Sequence, residues 1–178
     1  RRALVILEAS YGGDHSKVAS AMNNLAELLG GTNRWAEAEP LMRRALAIYE
    51  ASYGEGHPKV ATSLNNLALL LQATNRLAES EPLMRRALAI DEASYGECHS
   101  DVARDLNSLA QWLRAANRFT EAEPLMLRVL AINEASLGED HPKVATSLNN
   151  LAMLLQATNR LGEAESLYRR ALVILEAS

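Results

Sequence analysis

His57-Pro58-Lys59-Val60-Ala61-Thr62-Ser63-Leu64-Asn65-Asn66-Leu67-Ala68 returns unchanged at His141–Ala152, two periods of 42 residues later. Pro58 suits the first turn of a helix, where its missing N–H costs nothing, and His57 takes the N-cap position, a weak capping type. Val60, Ala61, Leu64, Leu67, Ala68 and Leu71 then follow the i, i+3, i+4, i+7 spacing of one helical face. Thr74-Asn75-Arg76 breaks the run, with Asn75 suited to a left-handed turn. A second helix is predicted from about Leu77 to Ser94, with the stripe Leu77, Ser80, Leu83, Met84, Ala87, Leu88 and Ile90. Tyr95-Gly96 ends it, glycine being the expected terminator. Pro82 falls more than one turn inside this helix and predicts a local bend or a late helix start.

The same phrase recurs along the whole chain. Arg43-Arg44-Ala45-Leu46 returns at Arg85–Leu88 and at Arg169–Leu172, and a Gly-x-x-His step recurs at Gly12/His15, Gly54/His57, Gly96/His99 and Gly138/His141. The period divides the chain into the end of a preceding second helix (1–12) and repeats 13–54, 55–96, 97–138 and 139–178. A single helix pair has too little core to fold alone, whereas stacked pairs bury a continuous seam, so a fixed period of this size predicts an all-α solenoid. Glu39, Glu81 and Glu165 each precede an Arg by four residues, the favoured order for an intrahelical ion pair. Arg1–Ser10 and Arg169–Ser178 both read RRALVILEAS, and there is no initiator Met, so the chain reads as an excised piece of a longer protein.

Composition narrows the function. Of 178 residues 48% are apolar but only 4% aromatic, which favours helices of Ala and Leu over strands. A net charge of −4 argues against a nucleic-acid partner, which needs clustered Lys and Arg. No apolar run approaches a membrane span. The lone Cys98 excludes an internal disulfide and fits a reducing, cytoplasmic setting. One His per period cannot converge on a metal ion. Cys98-His99 lacks a third orienting group, and Gly30-Gly31 is not followed by a phosphate-loop Lys. The chain reads as a non-catalytic protein without metal or cofactor.

Anchored on Asn75, the repeat resembles the tetratricopeptide repeat. Leu64, Leu67, Ala68 and Leu71 fall at that family's large, Leu, small and large positions, and Leu77, Ser80, Met84 and Ala87 at those of its second helix. The resemblance covers every period. Its 42 residues, against about 34 in the usual repeat, and the motif HPxVAxxLNNLA look like kinesin light chains. The resemblance implies a right-handed α-α superhelix of four helix-turn-helix repeats, preceded by half a helix, with the first helix of each repeat lining a concave groove. It also implies a protein or peptide partner there. Asn24, Asn66, Ser108 and Asn150 sit where the family often places an Asn on the ligand backbone. Asn23, Asn65, Asn107 and Asn149, one residue earlier, are expected to face the same groove; alternatively one Asn of each pair only ties neighbouring helices together.

Repeat three breaks the pattern. Arg104, Gln111 and Arg114 replace Thr62, Leu69 and Gln72. The added cations favour an acidic ligand segment or a C-terminal carboxylate, unless the change is drift within one copy, or Arg104 pairs with Asp101 or Asp105. A second function competes with peptide binding. Repeats this alike suit a spacer, and the apolar residues of the two cut ends, Leu4, Leu7, Leu172, Ile174 and Leu175, would let copies stack head to tail.

Overall fold

The computed structural model describes residues 2–177, with side chains from Ile6 to Ala177. Among them lie nine α-helices and no strand: α1 (Arg2–Tyr11), α2 (Ser16–Gly31), α3 (Trp35–Tyr53), α4 (Pro58–Ala73), α5 (Leu77–Tyr95), α6 (Ser100–Ala115), α7 (Phe119–Leu137), α8 (Pro142–Ala157) and α9 (Leu161–Glu176). The chain forms two compact units, residues 1–94 and 95–178. In each, first helices (α2 and α4; α6 and α8) alternate with second helices (α3 and α5; α7 and α9).

Three recurring devices set the helix boundaries. Each first helix opens on a His whose Nδ1 accepts the backbone N–H two residues on, at 3.1–3.2 Å, from Lys17, Lys59, Asp101 and Lys143. A weak capping type thus makes a full N-cap bond. At the turn between helices, Asn75 has φ 60°, as Asn33, Asn117 and Asn159 do at 58°, 59° and 61°. Its N–H bonds the Gln72 carbonyl at 3.0 Å and the Arg76 N–H bonds that of Leu71 at 2.8 Å, which is the Schellman closure of a helix C-terminus. The second helices α3, α5 and α7 end on glycine: Gly54 has φ 86° and ψ 157°, a region open essentially to glycine alone.

Pro82 does not delay its helix. α5 begins at Leu77, and α3 and α7 likewise contain Pro40 and Pro124. The carbonyl that loses its donor belongs to Ala78, in an exposed first turn where water can satisfy it.

The apolar face read from the period is the core. Val60, Ala61, Leu64, Leu67, Ala68 and Leu71 are all buried, each Leu contributing about 1.5–3 kcal/mol. In the first unit, Val18 and Met22 of α2 pack with Ile48 and Tyr49 of α3 and Leu64 of α4. In the second, Val144 and Leu148 of α8 pack with Ala171 and Ile174 of α9. Helices cross closely at small residues, where the buried Ser80 hydroxyl donates to the Ala68 carbonyl at 2.9 Å.

Candidate functional site

The i, i+4, i+7 spacing that buries one side of each first helix leaves another side open. Thr62 and Leu69 on α4, Arg104 and Gln111 on α6, and Thr146 and Met153 on α8 are exposed, with Asn66, Ser108 and Asn150 half-buried between them. On α2 the corresponding residues are Ser20, Asn24 and Glu27. This stripe mixes amides, hydroxyls and a few apolar side chains.

The asparagines divide. Asn23 and Asn65 are buried, which corrects their expected place on the open face. Asn23 ties α2 to α4 by donating to Ser63 Oγ at 3.0 Å, because the position lies one step, about 100° of helix, from the exposed stripe. Asn24 is exposed, Asn66 donates to Glu27 at 3.2 Å, and Asn150 donates to Asn107 at 3.0 Å. Asn107 and Asn149 are half-buried.

The two repeat-three cations also divide. Arg104 bonds Asp101 and Asp105, the latter fully buried, so its charge is already met within α6. Arg114, half-buried in the last turn of α6, has no ion pair among the described residues.

A charge relay that the sequence reading overlooked joins successive repeats. Arg76, just before α5, bonds Glu79 at 2.7 Å and reaches back to Glu39 of α3 at 2.8 Å. Arg160 repeats this with Glu163 at 2.7 Å and Glu123 at 2.6 Å. Desolvation pushes the Glu39 carboxyl up, but the Arg76 and Arg43 hydrogen bonds outweigh it and hold it below the usual range. The Arg76 hydrogen bond holds Glu79 low, and Arg160 does the same to Glu163. Both arginines are raised above their ordinary value by these carboxylates, Glu79 before Glu39 and Glu163 before Glu123. The recurrence of Arg at one lag from Glu was the available signal. The expected Glu39/Arg43, Glu81/Arg85 and Glu165/Arg169 pairs are present at 2.8, 2.7 and 2.6 Å.

At the ends, Leu4 lies outside the described side chains. Leu7 is partly buried against the first core. Leu172 and Leu175 are exposed, together with Val173. Ile174 is 3% exposed and belongs to its own repeat's core, which removes it from the outward-facing set. Among the described residues no three His, Cys, Asp or Glu converge on a metal position, and no helix is long and apolar enough to cross a membrane.

The sequence matches the tetratricopeptide repeat family over residues 1–51, 32–93, 59–135 and 101–177. Among solved structures it is similar to BtubC (BKLC) from P. vanneervenii, at 25% identity and TM-score 0.84, over 92% of this chain and 65% of that one. The chain therefore spans a little under two thirds of that relative. It is also similar to a putative kinesin light chain of Podospora anserina with nearly identical TPR-like repeats, at 24% identity and TM-score 0.82, over 98% of this chain and 82% of that one. Aspartyl phosphate phosphatase F of Bacillus subtilis shares the fold at 12% identity and TM-score 0.79, over 91% of this chain and 41% of that one. No curated protein sequence matches the chain.

Proposed function

The chain belongs to the tetratricopeptide repeat family, in its 42-residue, kinesin-light-chain-like form, and on that premise we propose that it is a non-catalytic protein-interaction scaffold that takes a peptide segment along its first helices. The observation that carries this reading is the open stripe of those helices. Asn24, Asn66 and Asn150 offer amides that can both donate to and accept from a peptide backbone, and exposed Leu69 and Met153 offer apolar contact beside them. Screening the chain against a peptide array tests it. Within each unit, replacing the amide (Asn66→Ala in the first, Asn150→Ala in the second) is expected to weaken captured peptides about fivefold, one net hydrogen bond's worth. Unchanged capture would defeat the reading.

A second reading, self-stacking, has its own observation. Leu172 of α9 is 56% exposed, whereas Leu130, its counterpart on α7, packs on the core that contains α8. Leu28 of α2 is 68% exposed, whereas its counterparts Leu70 and Leu154 are buried. Among the described residues Glu165 bonds only Arg169, and Arg34 only Glu37. They are the members of the relay with no mate in another repeat. By displacing α1 of a second copy, whose Leu7 packs on the same core, α9 would cover α2 and pair Glu165 with Arg34. Sedimentation should then show concentration-dependent association that Glu165→Arg weakens and that adding Arg34→Glu restores. A monomer at every concentration up to about millimolar, where stacking of a few aliphatic side chains becomes detectable, would eliminate this reading.

A further inference from the structure

In the first unit a phenol ring fills the space between the first helices. Tyr49 of α3 is buried in the core with Ala19 of α2 and Leu64 of α4. The Lys59 ammonium lies 5.9 Å from its ring centroid. Its hydroxyl shares a 2.7 Å hydrogen bond with Ser20 of α2. The ring therefore starts on α3, inside the core, and ends with its hydroxyl at the open stripe.

Two periods on, Asn133 of α7 stands where Tyr49 stood. A recess of about 250 Å³ lies beside it, bounded by Ala103, Arg104, Asn133, Lys143 and Asn150 among others. Its walls answer one for one to the surroundings of Tyr49. Ala103 corresponds to Ala19 of that core, Arg104 to Ser20 on the hydroxyl, and Lys143 to Lys59 beside the ring. Asn133 is turned to its neighbour, donating to Ser147 at 2.8 Å, and Asn150 donates to Asn107 at 3.0 Å. The recess is thus the place of a phenol ring, left open by a shorter side chain. A framework that lacks a ring it is shaped around can take that ring as a free molecule, as cavities left by shortened side chains do.

Charge and polarity narrow the occupant. Arg104 and Lys143 are balanced by Asp101 and Asp105, both bonded to Arg104. A neutral ligand therefore suits the recess better than a carboxylate or an ammonium. A bare hydrocarbon ring would cover the Arg104 guanidinium and the Asn150 amide without a hydrogen bond, which is costly. A hydroxyl where that of Tyr49 sits would accept from Arg104 instead. We propose that this recess binds a small neutral phenol, held as Tyr49 is held, with its hydroxyl at Arg104. That orientation turns the position para to the hydroxyl toward Asn133, where α7 itself stands. Hydrogen or a methyl group is accommodated there, and the backbone of a peptide tyrosine is not. The ligand is a free molecule of the phenol or 4-methylphenol class, so the inference does not depend on the peptide-binding reading.

The test is titration of the 178-residue chain, followed by nuclear magnetic resonance, with 4-methylphenol, toluene, 4-methylbenzoate and N-acetyltyrosine amide. 4-Methylphenol is expected to saturate one site with a Kd on the order of 1 mM, within reach of so small a ligand. Toluene should bind at least about fivefold more weakly, for want of one hydrogen bond, and 4-methylbenzoate more weakly still. Asn133→Tyr should abolish binding by filling the recess as Tyr49 fills its own. Arg104→Ala should bring 4-methylphenol down to the level of toluene. Tyr49→Asn should open a second site and raise the stoichiometry to two. Melting curves establish that each variant is folded, and the Asn133→Tyr and Arg104→Ala arms stand whether or not Tyr49→Asn folds. Binding of 4-methylphenol no tighter than that of toluene, or binding that survives Asn133→Tyr, overturns the site. Tightest binding by 4-methylbenzoate overturns the choice of a neutral ligand. N-acetyltyrosine amide binding as well as 4-methylphenol overturns the orientation. Each of these results leaves the peptide-binding reading standing, since that reading is tested on the array.

Discussion

Asn75 and Gly54 carry the same kind of information at two turns, yet they tolerate different replacements. Asn75 has φ 60°, the left-handed region that Asn tolerates and Ala does not. Asn75→Ala is expected to cost about 1–2 kcal/mol in urea unfolding, and Asn75→Gly much less. Gly54 has open space where a Cβ would stand, so Gly54→Ala meets no clash. Its expected loss of about 1–3 kcal/mol is backbone strain alone. Gly30 is the opposite case. A Cβ there would lie 2.7 Å from Trp35 Cζ3, so Gly30→Ala should be rescued by Trp35→Leu, the residue found at positions 77 and 161. A double-mutant cycle showing no coupling would contradict this contact. The turn asparagines and terminal glycines were legible from residue type. The Gly30–Trp35 contact was not, since a ring lying against a helix is a tertiary fact.

The second helices are tied to their neighbours at their N-termini, through Arg76 and Arg160. Glu39, Glu79 and Glu163 titrate below their ordinary value in the folded chain. A carboxylate depressed by folding adds stability that is complete above its unfolded pKa, near 4.3, and disappears as pH falls through the folded value. The melting temperature is therefore expected to fall below about pH 4.5, where these groups begin to protonate in the unfolded chain but not yet in the folded one. Arg76→Gln should lower it at pH 7 and make the acid slope shallower. The pairs are exposed, so added salt should blunt the difference. An acid slope identical in Arg76→Gln would show that the relay does not couple to folding. At this scale the helices themselves were readable, including their caps and intrahelical pairs. The exception was Pro82, where expectation followed the lost hydrogen bond and the structure keeps the helix by exposing that carbonyl to water.

For the molecule as a whole, near-identical repeats leave function to the places where they differ. α9 separates internal from external surface. Ile174→Ala should cost about 2–5 kcal/mol because it opens a cavity, whereas Leu172→Ala and Leu175→Ala should stay within about 0.5 kcal/mol in the monomer. If all three prove equally costly, α9 packs on both faces in solution, as stacking would require. Burial also reordered the candidate site. Asn23 and Asn65 turned inward and Arg104 turned to its own helix.

The sequence by itself determined the period, the helix pairs, their boundaries and the family. Each depends on local spacing, turn chemistry and residue size, which act over a few positions of chain. Only the tertiary structure decided which asparagine of the first two pairs is buried and which carboxylates of a neighbouring helix Arg76 and Arg160 reach. Those depend on which side chains from helices some 14 to 43 residues apart meet, and a period repeated so faithfully conceals the few places where they meet differently.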